Sequence, residues 1–313
     1  MKIVSCFMEE KEIAPLIEAG ADELYTSVPG LPSFDETYLR GITIENAFKK
    51  IHALGKKALV AANSSQIVLD TRGLKKLADR LRALDAAGAD AFIISSPSLL
   101  SLLRSSPRRL RADLHLSSVQ PCFNTAALRF FLRFGIRRLI LPTQLPALEA
   151  AEVLKFCRRE GVETEIFDYR FFGCNYVNGR CNIHLPRFHT FKKGAKGGAL
   201  CRCGGPRQAL PVKPLGVNPE RAGEVPAIAR RLALRMGGGG APRFYNAASF
   251  FDFFTLGVGW LKYGVRADPP AVKARKVGQL RAMADLAGAL IKERGQRAAR
   301  PLFIERMTAW RGA

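Results

Sequence analysis

The chain of 313 residues contains no apolar run of eighteen or more, which excludes a membrane-spanning helix. Its opening, MKIVSCFMEEKE, has no basic stretch followed by an apolar one, so no export signal is expected and the cytoplasm is the expected location. Cysteine is scarce: there are seven, an odd number, and they are clustered, which argues against a disulfide framework. Histidine is scarcer still, with only His52, His115, His184 and His189. No His-Glu-x-x-His or Gly-x-Ser-x-Gly occurs, so the commonest metallopeptidase and serine-hydrolase signatures are missing. No Gly-x-Gly-x-x-Gly follows the first predicted strand, which argues against a dinucleotide fold. Acidic residues are outnumbered 27 to 49 by Lys and Arg, leaving a formal charge of +22. Such a field attracts nucleic acid, acidic metabolites or anionic membrane. The Ala-, Gly- and Arg-rich texture offers a plain compositional origin for the same charge. It is spread over helices such as FCRREGVE instead of forming one stripe interleaved with aromatics, and this weakens the case for RNA.

What is present is a recurring phrase: an amphipathic helix, a glycine, then an apolar strand. The copies are AGADELY at Ala19–Tyr25, AGADAFI at Ala87–Ile93, FGIRRLI at Phe134–Ile140, EGVETEI at Glu160–Ile166 and LGVGWLK at Leu256–Lys262. Glycine suits the left-handed position that ends a helix, and the β-branched and aromatic residues after it suit a buried strand. Three further strands fit at Ile3–Cys6, Ala58–Ala62 and Ala112–Leu116, with helices at Ile44–Leu54, Leu74–Ala87, Thr125–Phe134 and Leu145–Arg159. Eight alternating units predict an α/β fold of the (βα)8, TIM-barrel-like type, with a doubly wound open sheet as the competing topology. The reading is a single barrel over residues 1–269 that includes a cysteine-bearing insertion at 169–256, between strands seven and eight. A closing helix and basic tail follow at 270–313, with Pro301 expected to end the helix. A segment leaving the C-terminal end of a barrel strand lies where such folds build their sites.

The insertion holds Cys174, Cys181, Cys201 and Cys203, spaced Cys-x6-Cys and Cys-x-Cys. No acidic residue falls between Asp168 and Glu220, whereas nine basic ones do. Clustered thiolates in a positive setting suit a metal centre of net negative charge, and neighbouring Arg180, Arg202 and Arg207 favour the thiolate form. Neither pair has the spacing of a regular zinc knuckle. An iron–sulfur cluster, a mixed Cys/His zinc site that includes His184 and His189, and unligated redox thiols all stay open. Cys157 reads as a small core residue in its helix, while Cys6 ends strand one and Cys122 follows strand five.

YRFFGCNYVNGRCNIH resembles the hallmark of the collagenase-like peptidase family U-32: Glu-x-Phe, a short apolar stretch, then Cys-x4-Gly-x-Cys. Here these are Glu165, Phe167, Cys174, Gly179 and Cys181. AGADELY, Asn63 after strand three, AGADAFII, HLSSVQPCFNTAA, RRLILP, the Gly-x-x-Cys of GGALC and GVGWLKYGVR resemble other family blocks in the family's order. Departures are one residue inserted before Cys174, Arg170 near a usual Gly, and His184 at a usual Ser. Some members of that family are described as collagen-degrading peptidases. Others are oxygen-independent hydroxylases of ubiquinone precursors or of RNA bases, carrying a 4Fe–4S cluster, with prephenate implied as oxygen donor.

The resemblance implies cluster ligands at Cys174, Cys181 and Cys201, with Cys203 as the nearest fourth, or else Cys6 or Cys122. It implies an iron–sulfur protein of oxygen-independent hydroxylation, acting on a quinone precursor or an RNA base. A paired family subunit and an acidic small molecule or RNA are the implied partners. The alternatives are a metal- or thiol-dependent peptidase, and a non-catalytic RNA- or partner-binding subunit with a structural cluster. Lys262 and Arg266 resemble the family's late Lys and Arg. Tyr25, Asn63, His115, Ser117 and Gln120 stand at or near strand ends and are candidate pocket residues.

Overall fold

Eight parallel strands close on themselves in the computed structural model, which describes residues 1–33, 37–64, 70–143, 145–168 and 247–310. They are β1 Lys2–Cys6, β2 Glu23–Thr26, β3 Lys57–Ala62, β4 Ala91–Ile94, β5 Asp113–Leu116, β6 Ile136–Ile140, β7 Glu163–Phe167 and β8 Trp260–Tyr263. Each pairs with the next, and β8 returns to β1 with Val4 opposite Lys262, which closes the cylinder. The expected (βα)8 barrel is therefore observed and the open sheet is not.

Helices α1 Ile13–Glu18, α2 Ile44–Ala53, α3 Thr71–Ala87, α4 Pro97–Ser105, α5 Thr125–Leu132, α6 Ala147–Arg159, α7 Ala247–Thr255 and α8 Pro270–Ala309 surround it. Local chemistry starts several of them. The side chains of Thr43, Asp70, Ser96 and Asn124 each accept a hydrogen bond from a first-turn backbone N–H, satisfying a donor that the helix leaves orphaned. The Asp70 cap explains why α3 starts at Thr71, three residues ahead of the expected Leu74. The recurring glycine does what its position predicts: Gly20 and Gly88 have φ of 102° and 112°, where a side chain would be strained.

The strand face turned to the helices is mostly apolar because the helices cover it. Ile3, Leu24, Val60, Phe92, Leu139, Ile166 and Leu261 are fully buried on one face. On the helix side Phe48, Ile51, Leu81, Leu99, Leu128, Val277 and Leu280 are buried too, so one continuous core encircles the cylinder.

Pro301 does not end the last helix, as had been expected. The break falls at Gly295, with φ 74° and ψ 159°, and helix resumes through Pro301 to Ala309. Ala299, Phe303 and Met307, one turn apart, are buried, and Phe303 packs against Phe250 and Phe251 of α7. Burial of that stripe outweighs the hydrogen bond a proline removes. Among the described residues no helix is long and apolar enough to cross a membrane.

α8 is also tied down by charge. Lys273 Nζ donates to both Glu12 carboxylate oxygens at 3.1 and 2.9 Å, and Glu12 accepts from the Met8 backbone N–H at 2.8 Å. Both side chains are buried. Removing one member strands the other charge in the core, so Lys273→Ala should cost about 3–5 kcal/mol by denaturant unfolding. The double variant Lys273→Met/Glu12→Gln should recover part of that loss; full additivity of the two changes would refute the pairing.

Candidate functional site

The barrel interior is charged. In the strand Ile-Arg-Arg-Leu-Ile, alternation sends Arg137 outward and Arg138 inward, and a register shift between Leu114 and His115 sets Arg138 opposite His115. All five N–H bonds of the Arg138 guanidinium are used. Nη1 donates to Glu23 at 2.6 Å and Glu165 at 3.1 Å; Nη2 donates to Glu23 at 3.0 Å and Glu163 at 2.7 Å; Nε donates to Glu163 at 2.9 Å. The cation lies 3.8 Å from the centre of the Trp260 ring.

The ladder continues towards the C-terminal ends of the strands. The second oxygen of Glu165 accepts from Lys262 Nζ at 2.8 Å. Lys262 Nζ sits 4.1 Å from the Tyr25 ring centre, and the Arg266 guanidinium 5.5 Å from the same ring. Arg266 donates to Ser33 Oγ at 2.5 Å, and Ser33 shares a 2.8 Å hydrogen bond with Ser27. Three candidates from the sequence, Tyr25, Lys262 and Arg266, thus form one cluster, and the motif residue Glu165 links it to Arg138. Asn63 Nδ2 donates to Ser117 Oγ at 3.2 Å, and the Gln120 backbone N–H donates to the Ser117 carbonyl at 2.9 Å, forming a second polar group after β3 and β5.

Burial sets the proton affinities. It pushes the Glu23 carboxyl above its ordinary range although Arg138 opposes this. It holds Lys262 below the ordinary lysine range against the pull of Glu165, with Arg138 and Arg266 adding repulsion. A lysine so placed gives up its proton more readily than one in water. Beside it, Tyr263 donates a short hydrogen bond to Asp268, which also takes Lys276 at 2.7 Å.

His115 sits differently from the other candidates. It belongs to a cavity of about 470 Å³ at the N-terminal mouth of the barrel, opposite to the end expected for the site. It is buried, and desolvation, helped by the charges of Arg138, Lys262 and Lys57, keeps it well below the ordinary imidazole value. Cys122 and Cys157 are buried thiols pushed up to about 11 and about 12 by burial, and Cys122 donates only a weak bond to the Asn124 carbonyl. Both behave as core residues. Cys6 is fully buried at the end of β1, in register with Tyr25. Cys174, Cys181, Cys201 and Cys203 lie outside the described residues, as do His184 and His189. Among the described residues no three Cys, His, Asp or Glu side chains are placed to hold a metal ion.

Sequence reasoning missed Arg138, Glu23, Glu163 and Trp260. A signal was available: Glu163 and Glu165 alternate in Glu-Thr-Glu-Ile-Phe, and a charge repeating at period two within an otherwise apolar strand marks a polar interior face.

Fold and site together define a (βα)8 barrel whose hollow carries an ion ladder rising to the C-terminal ends of β2, β7 and β8. A family model described as peptidase family U32 matches residues 9–204. The chain belongs to that family. It is 31% identical over 168 residues to tRNA hydroxylation protein P of Haemophilus influenzae, covering 52% of this chain and 34% of that protein. Likeness to tRNA hydroxylation protein P of Escherichia coli is 29% over 163 residues, with coverage of 52% and 34%. Likeness to tRNA hydroxylation protein P1 of Bacillus subtilis is 25% over 199 residues, with coverage of 63% and 44%. Matched regions thus span about a third to under half of these relatives.

The depressed proton affinity of His115 makes stability pH-dependent. The unfolded imidazole has its ordinary value of 6.5, and the folded one lies well below it. As pH falls below about 6.5 the unfolded chain therefore takes up a proton that the folded protein refuses, and stability drops. Between about pH 6.5 and about pH 5.5 the wild type should lose about 1 kcal/mol more than His115→Gln in urea unfolding. Parallel pH profiles for the two proteins would refute a neutral, buried His115.

Proposed function

We propose that this chain takes part in oxygen-independent hydroxylation of an RNA base; the relatives it matches are named for tRNA hydroxylation. The observation that carries this reading is where the family motif begins. Glu165 starts the motif inside the barrel, fixed by Arg138 and Lys262. The Asp168 backbone N–H then bonds the Lys262 carbonyl at 2.9 Å, so the chain leaves for its cysteines from the C-terminal end of the barrel beside Lys262.

The donor set fits an iron–sulfur cluster. Four thiols stand within thirty residues, no carboxylate lies between Asp168 and Glu220, and Arg180, Arg202 and Arg207, neighbours of the thiols in sequence, would offset the anionic charge of the group. Cys174, Cys181, Cys201 and Cys203 would hold it, and when bound it supplies one-electron redox chemistry. The residues of the barrel do the rest. Glu165 positions Lys262, leaving that ammonium two further N–H bonds, and Tyr25 offers a ring face to the Lys262 and Arg266 cations. Lys262 and Arg266 favour an anionic co-substrate, a carboxylate-bearing oxygen donor or an RNA phosphate. Burial of Lys262 loosens its hold on its proton.

Anaerobically purified protein should be brown and contain iron and acid-labile sulfide, and Cys174→Ala should lose both. In cells lacking their own tRNA hydroxylation protein, the chain should restore a hydroxylated tRNA nucleoside seen by mass spectrometry. Glu165→Gln should keep the colour and lose at least about tenfold of that product, the scale for losing one charge-assisted hydrogen bond. Colourless protein holding zinc, or collagen cleavage that survives Cys174→Ala, would contradict the proposal.

A further inference from the structure

The opposite mouth of the barrel has a charge balance of its own. The cavity of about 470 Å³ there falls within the size range of small-molecule sites. Its carboxylates already have partners. Glu23 and Glu163 hold Arg138, Asp22 takes the Ile3 backbone N–H and Arg281, Asp90 takes the Ala58 backbone N–H and His52, and Asp113 faces Arg137 at 3.8 Å. Its lysines do not. Lys2, Lys56 and Lys57 line the same cavity, and none has a carboxylate partner among the described residues; Lys2 lies over the Trp260 ring at 5.0 Å. These three lysines are thus the cations of the cavity left without a carboxylate partner among the described residues.

His115 adds a second, independent observation. Its side chain lines the cavity, it is 2% exposed, and its Nδ1 has no hydrogen-bond partner among the described residues. A buried polar atom without a partner costs about 1–3 kcal/mol, which a ligand oxygen bound there would relieve. The register shift beside His115 is the kind of irregularity that re-aims side chains next to sites.

We propose that the N-terminal mouth of the barrel, lined by Lys2, Lys56, Lys57 and His115, is a second ligand site that takes a small phosphate- or carboxylate-bearing anion. The lysines supply the charge, His115 supplies one directed hydrogen bond, and Trp260 with the stem of Lys2 gives an apolar wall. The site is independent of the hydroxylation reading, because nothing in it depends on the cysteines.

The test uses the full chain with pyrophosphate and malonate as probes, followed by calorimetry and by imidazole NMR, the His115 signal being assigned by its loss in His115→Gln. At least one probe should bind saturably and shift the His115 resonance. Lys56→Ala/Lys57→Ala, changed only at the rim, should weaken that binding by about tenfold or more. Removal of the same charge from the exposed face of α3, in Lys75→Ala/Lys76→Ala, should leave it unchanged. Binding of pyrophosphate alone assigns the site to phosphates, and binding of malonate alone to carboxylates. No saturable binding, no shift of His115, or equal weakening by both lysine pairs would overturn the proposal; the last would show attraction by net charge alone.

Discussion

Everything inside the barrel depends on a single guanidinium. Arg138 is 2% exposed, and a cation taken so far from water is tolerable only when every N–H has an acceptor and its charge is met. Glu23, Glu163 and Glu165 meet both demands, and their negative charge lifts the Arg138 proton affinity against the effect of burial. Three carboxylates around one arginine leave an excess of negative charge, and Lys262 answers part of it at Glu165. Each side chain in the ladder is thus held by the one below it. A motif residue that from sequence is only a conspicuous glutamate becomes a fixed point from which the cysteine segment departs.

The two mouths of the cylinder divide the remaining chemistry. At the C-terminal ends, the Lys262 and Arg266 cations both lie over the Tyr25 ring, and Asn63 and Ser117 form a polar pair. Barrels of this type build their reacting sites at that end. At the N-terminal end, three lysines without a carboxylate partner among the described residues line a cavity with the buried His115, whose proton affinity burial depresses. Arg138 lies between the two, and its charge bears on both His115 and Lys262.

The barrel was legible because its signals are local. Helix, glycine and apolar strand repeat with a spacing that only alternating parallel units satisfy, and every strand read from the sequence is a strand of the cylinder. Pro301 misled because a helix-breaking residue was weighed without the tertiary packing of Phe303, which outweighs it. The site was legible in part. Tyr25, Lys262 and Arg266 come together from strands far apart in sequence, as their strand-end positions imply. His115 was assigned to a mouth without its facing direction, which depends on the register shift beside it. Arg138 escaped notice because the adjacent Arg137 makes both look like ordinary surface charge. Only the partners Glu23 and Glu163, 115 and 25 residues away, reveal it as interior.

The central claim is that Glu165 and Lys262 are energetically coupled within this ladder, and a double-mutant cycle measures that directly. Glu165→Gln, Lys262→Met and the double variant would be compared by urea unfolding at neutral pH. A buried pair in one network predicts a coupling of about 1–3 kcal/mol, with the double variant less damaged than the sum of the singles. Additivity to within about 0.5 kcal/mol would contradict it and leave the two side chains as unrelated neighbours in the barrel.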